Sequence, residues 1–314
     1  MLSSEIIIPI IVSFITALAT IKYKSNKDDL SHKNKLKFEH SLSEQKKIKE
    51  SISKNKIQMI NACEMLNHRL WNLSEFYEKK WHFVDGDFTK ETKYYFHSFI
   101  YRLGAIIWWS SKIENELIYL DTTIADKDDL DFLKFCKFIH IILSQVKLFN
   151  NLDYNGEKDY DHFFYHKLIK EINCLSNENK TDIINYDLYE KDLTDNLEKM
   201  KGICSFIDGV HPKEDRLRWN RLYALHLTII AFLNNYGYDF QKTSKQQIEE
   251  IVKVMSLSEN NDTVLLNFVQ LLQKIKLDKN KEVQKIQCVI NKSAESQLHC
   301  DSYSWFSRLV NRNQ

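Results

Sequence analysis

The chain has 314 residues, 28% of them charged, yet a net charge of only +1, which excludes a surface that is basic or acidic throughout. Six glycines and two prolines are too few for a hairpin-rich β fold or for Gly-rich phosphate loops, and six scattered cysteines with no C-x-x-C pair and no close framework read as reduced thiols. What remains is a set of long helices whose many aromatics (18 Phe, 15 Tyr and 6 Trp) fill the space between them.

In chain order, the first feature is the uncharged run from Ile6 to Ile21 (IIIPIIVSFITALATI), with Glu5 before it and Lys22, Lys24 and Lys27 after it. Sixteen helical residues rise about 24 Å, short of a hydrocarbon core of roughly 30 Å. Met1 and Leu2 on one side and Tyr23 with snorkelling lysines on the other extend it. The charge order predicts an uncleaved transmembrane anchor over residues 1–22, a single-pass inner-membrane protein with its N-terminus out and its bulk in the cytoplasm. Two readings compete. A cleaved signal peptide has a candidate site at Ala17-Leu18-Ala19 but the wrong charge order, and the run also suits a buried helix of a soluble domain.

Residues 22–56 hold 11 Lys against 5 acids, a net of +6, so the remainder of the chain carries −5 (1 − 6). This basic juxtamembrane stem, residues 23–56, reads as a solvated helical spacer. From Ile52 a heptad begins, with Ile52, Met59, Leu66 and Leu73 in one set and Cys63, Leu70 and Tyr77 in the other. After a turn at Asp85-Gly86-Asp87, a helix over residues 90–120 keeps an a/d register through Phe96, Phe99, Leu103, Ile106, Ile113, Leu117 and Leu120. The two helices predict a long antiparallel hairpin. Further helices are predicted over residues 128–149, 160–175, 188–207, 213–234, 244–255, 260–275, 279–293 and 302–311. No repeat and no alternating strand pattern appears, so residues 57–314 read as one cytosolic all-α bundle, with 243–314 as a possible subdomain.

Candidate chemistry is sparse. Arg221 and His226 (RLYALH) form an R-x4-H spacing that resembles the motif of the all-helical HEPN ribonucleases, which implies a histidine for proton transfer and an arginine for phosphate. The polar residue that often follows the arginine in that family is Leu222 here, and composition alone yields roughly 0.7 matches by chance over the three spacings the motif permits, four to six residues between arginine and histidine. His162 and His166 (HFFYH) are four apart, so on a helix their rings share a face and form a candidate metal pair; two nitrogens do not make a site. Trp108-Trp109 and Tyr94-Tyr95-Phe96 suit base stacking, but their heptad context favours packing. No cofactor motif is present.

The span, the stem, NACEMLNHRLWNL, FHSFIYRLGAIIWWSSKIENELIYLD and DRLRWNRLYALHLTIIAFLNNY together resemble an uncharacterised group of bacterial membrane-anchored helical proteins over residues 1–240. Asn234-Asn235-Tyr236-Gly237 departs from the acidic turn of that group, and the resemblance implies architecture without an activity. The expected function is a non-catalytic interaction or sensing module in a bacterial defence or stress setting, with the lipid bilayer and a second copy or partner helix as its partners. The alternatives are a membrane-tethered ribonuclease acting on nucleic acid through Arg221 and His226, and a membrane-disrupting effector built on the clustered anchor, where Ser13, Thr16 and Thr20 offer polar contacts.

Overall fold

The computed structural model describes residues 4–90, 93–158 and 161–293, with side chains described from Thr16 onward except Ala19. It is all-helical, 74% helix with no strand among the described residues. Among the described residues the helices follow in the order α1 (Ser4–Phe76), α2 (Tyr94–Glu116), α3 (Lys127–Ser144), α4 (Tyr165–Ile172), α5 (Tyr186–Lys191), α6 (Leu193–Lys199), α7 (Lys201–Ile207), α8 (Arg218–Tyr236), α9 (Lys245–Met255) and α10 (Asn261–Lys274). Residues 281–293 are helical again. The expected helix over 302–311 lies outside the described residues.

Among the described residues, no helix is long and apolar enough to cross a membrane. That overturns the expected single-pass inner-membrane localisation, and with it the topology assigned to residues 1–22. The run is not a separate spanning element: it forms the start of α1 and continues unbroken into the lysine-rich stem as one 73-residue helix. Its side chains before Thr16 lie outside those described. The bilayer as a partner and the membrane-disrupting effector rested on the same span.

The heptad sets define how α1 packs. Ile48, Ile52, Met59, Cys63, Leu66, Leu70 and Leu73 are all buried, so the seam serves the chain itself. Its counterpart is α2, where Phe96, Phe99, Leu103, Ile106 and Ile113 are fully buried. Asn55 Nδ2 donates to Glu116 Oε2 at 2.7 Å, Arg102 Nη1 to Met65 O at 3.2 Å, and Arg69 Nη2 to Ser98 Oγ at 2.6 Å. Rising residue numbers on α1 thus meet falling ones on α2, an antiparallel hairpin. Burying apolar area of this kind is worth roughly 25 cal/mol per Å², which carries the fold. Helix α3 packs on α2, and α8 fills the space between α1 and α3 with sixteen consecutive buried residues, Arg218 to Leu233. Helices α9 and α10 close the far side against α8.

The predicted helix over 188–207 is three short ones. Backbone at Asp192 and Met200 leaves helical geometry, and Glu171 Oε2 accepts from Ile203 N at 3.0 Å, giving α7 its own capped start. The predicted helix over 213–234 begins only at Arg218: residues 212–217 form turns and bends, and Asp161 Oδ2 accepts from Leu217 N just ahead of the first helical residue. Upstream, the stem is helical and solvated, and every residue from 20 to 40 is exposed. Part of α1 therefore projects from the body as a bare rod.

Candidate functional site

Two regions hold groups with chemical potential: the arginine-rich start of α8 and the outward side of α1.

Three of the chain's seven arginines fall within residues 216–221. Arg216 Nε pairs with Asp161 Oδ1 at 2.8 Å, while Asp161 Oδ2 accepts from Leu217 N at 3.0 Å. Arg218 grips Glu214 through Nε and Nη2, and its Nη1 donates to Ser205 O, Phe206 O and Asp208 O at 3.0, 3.0 and 2.7 Å. Those carbonyls end α7, where no intrahelical donor is left. Arg221 does the same for α3, with Nη1 donating to Ile142 O and Nη2 to Gln145 O, and its guanidinium lies 4.4 Å from the Phe149 ring centroid. The positive side chain meets the negative end of the helix dipole. Burial pushes the Arg221 pKa down to about 9, against the opposing pull of Tyr154 and Asp161, so the group stays charged at neutral pH.

His226 is also 0% exposed. Its Nε2 lies 3.0 Å from Asn67 Oδ1 on α1, and Trp71 meets the ring edge-on at 5.3 Å. Burial alone pushes its pKa down to about 3, so the imidazole is neutral at neutral pH. A five-residue step turns about 140° around a helix, which sends Arg221 toward α3 and His226 toward α1. The R-x4-H spacing brings the two side chains to no common surface. Neither is placed to reach a phosphodiester, which a proton-transfer role requires.

His162 precedes α4, which begins at Tyr165, so the four-residue spacing does not put the two histidines on one helical face. His162 is buried with Nδ1 2.5 Å from the Tyr154 hydroxyl, while His166 is exposed. Among the described residues no group of three His, Cys, Asp or Glu side chains is placed to hold a metal ion. Trp108 and Trp109 are core residues, in edge contact at 4.9 Å, with Trp108 Nε1 donating to Ser176 Oγ at 2.7 Å. Tyr95 packs under the Arg69 guanidinium at 4.1 Å.

Two features were missed in the sequence. One is the role of the α8 arginines as caps for other helices, although their crowding in DRLRWNR was a usable signal in a chain with five times more lysine. The other is a cradle of backbone amides: Val84 N and Gly86 N each donate to the Asp208 carboxylate at 2.8 Å, tying the turn after α1 to the end of α7. Gly86 takes a φ of 81° there, which suits only glycine well. A lone Asp-Gly after α7 gave no hint of that partner.

On the outward side, α1, the segment before α9 and the first turns of α9 border a groove of about 400 Å³, lined by Glu64, Trp71 and Glu75 from α1, by Phe240 before α9 and by Gln247 and Glu250 on it. Phe240 is 80% exposed and stacks on Tyr238 at 5.6 Å. Gln241 also lines the groove, and its buried Nε2 has no hydrogen-bond partner. Comparison with protein families, with curated proteins and with solved structures gives no match.

Proposed function

We propose that the chain is a non-catalytic helical interaction module whose body holds α1 so that its projecting, outward face meets a partner protein. The supporting observation is the exposure of every residue from 20 to 40 along a helix anchored in the core from Ile48 on. A helix exposed on all sides is weak alone, since exposed pairs such as Lys35–Glu39 at 4.0 Å add little. It also leaves Leu36, Phe38 and Leu42 in water. Covering such a rod is favourable, and the rigid body removes most of the ordering cost.

The test is site-specific photocrosslinking in the native host, with the probe at Glu39 or Leu42 on the rod and at Glu198 on the body as control. Covalent protein adducts from the rod positions alone are expected. Adduct-free rod positions, together with RNA cleavage by the purified chain, would overturn the reading.

A further inference from the structure

Lys35, Lys46, Ile57, Glu64 and Glu75 lie within about 40° of one another around α1, taking about 100° per residue. This face is turned away from the one that Ile52, Met59 and Leu66 bury, and buried Ile60 and Asn67 flank it on one side. Lys35 and Lys46 are 73% and 78% exposed, Ile57 is 57% exposed, and Glu75 is exposed as well, while the Glu64 side chain is 27% exposed at the groove edge with His68 Nε2 at 3.7 Å. The two lysines are eleven residues apart, and so are the two glutamates. Eleven residues make three helical turns and about 20°, so each pair lines up along the rod.

From this we infer that the partner is a second copy of the chain, docked with the two α1 helices antiparallel and their outward faces together. In that register Lys35 of one copy stands opposite Glu75 of the other and Lys46 opposite Glu64. The two-fold axis makes every pair occur twice. Exposed Ile57 then falls beside the axis, where both copies bury it. A parallel arrangement can pair one copy's lysines with the other's glutamates only by a long stagger, which leaves the remaining set unmatched and the assembly open. The antiparallel one closes on itself. A nucleic acid backbone is disfavoured, because Glu39 and Glu50 sit beside the two lysines at 4.0 and 3.8 Å and break the run of positive charge that phosphates need. The overall split, +6 on residues 22–56 against −5 elsewhere, points the same way. The rod also brings Leu42 toward the groove mouth, where Trp71 and Phe240 offer apolar cover.

This inference rests on α1 being the interaction element, and its failure is separable: rod adducts made with another protein leave the proposed function standing and remove the dimer. The direct experiment uses the full chain and two charge-reversed variants, Lys35→Glu/Lys46→Glu and Glu64→Lys/Glu75→Lys, each checked for an unchanged helical spectrum and melting temperature. Sedimentation should give the wild type twice the 37.5 kDa chain mass at micromolar concentration and less at high salt. Each variant alone should be a monomer, since its rod and its acceptor face then carry the same sign. An equimolar mixture of the two should restore the dimer, seen as energy transfer between differently labelled variants. A monomeric wild type, a variant that dimerises alone, or a mixture that stays monomeric would each overturn the proposal.

Discussion

His226 shows how a side chain with catalytic credentials can be spent on packing. Its ring is neutral because charging it would strand a cation between Trp71, Tyr223 and Asn67 with no counter-ion. Burial likewise pushes the pKa values of His82 and His140 down to about 4, for His82 against the opposing pull of the Val210 carbonyl and Asp208. A histidine lowered on folding binds fewer protons in the native state than in the unfolded one. Its contribution is therefore complete above the unfolded value of about 6.5 and is lost as the pH falls toward the folded one. For His226 alone the loss reaches roughly 2 kcal/mol by about pH 5. Thermal melts of the wild type should accordingly drop between neutral pH and about pH 5, and His226→Gln should lessen that slope by removing one of the three contributions. A wild-type melting temperature constant over the interval would contradict the assignment. The sequence revealed a histidine in an apolar stretch, but not its Asn67 partner, which is 159 residues away.

At the scale of elements, helix ends explain more than helix interiors. Periodicity located α2, α3, α8, α9 and α10 because each has an apolar face that recurs with the helical period. It merged α5, α6 and α7 into one helix, since the breaks at Asp192 and Met200 depend on Glu171 and Asn196 rather than on Gly or Pro. It also gave no sign that α8 terminates its neighbours. Arg221 closes α3, and a lysine offers one charge where the guanidinium offers a fork. Arg221→Lys should therefore destabilise the chain by roughly 2 to 4 kcal/mol, about what an unsatisfied buried carbonyl or two costs. Urea melts would show the loss, and hydrogen exchange should quicken most in the last turn of α3. Unaltered protection there would mean the cap is not Arg221. The candidate site was legible only in its letters: R-x4-H and HFFYH are present, but helical phase and the start of α4 send their members apart.

For the whole molecule, the division between body and rod is the main organising fact. The basic stem and the onset of core packing near Ile48 were visible as a lysine run giving way to a heptad. The span was read from a hydropathy run that the helix carries straight into its polar length. Limited trypsin digestion should cut first within residues 22–37, where Lys22 through Lys37 are exposed, and leave a resistant body. Dimerisation covers Lys35, so that cleavage should slow as protein concentration rises. Rates independent of concentration would favour a free rod.

No glycine or proline interrupts the chain between Pro9 and Gly86, so α1 has no built-in hinge between its free part and Phe76. Lys35 and Asn67 are thus two points on one stiff shaft, about 48 Å apart at 1.5 Å per residue. Asn67 holds His226, and Trp71 lies against the same ring. A load on the free end is thus borne first by the core contacts that begin at Ile48, and whatever passes them should reach the Asn67–His226 contact, where Trp71 at the groove edge can report it through indole fluorescence.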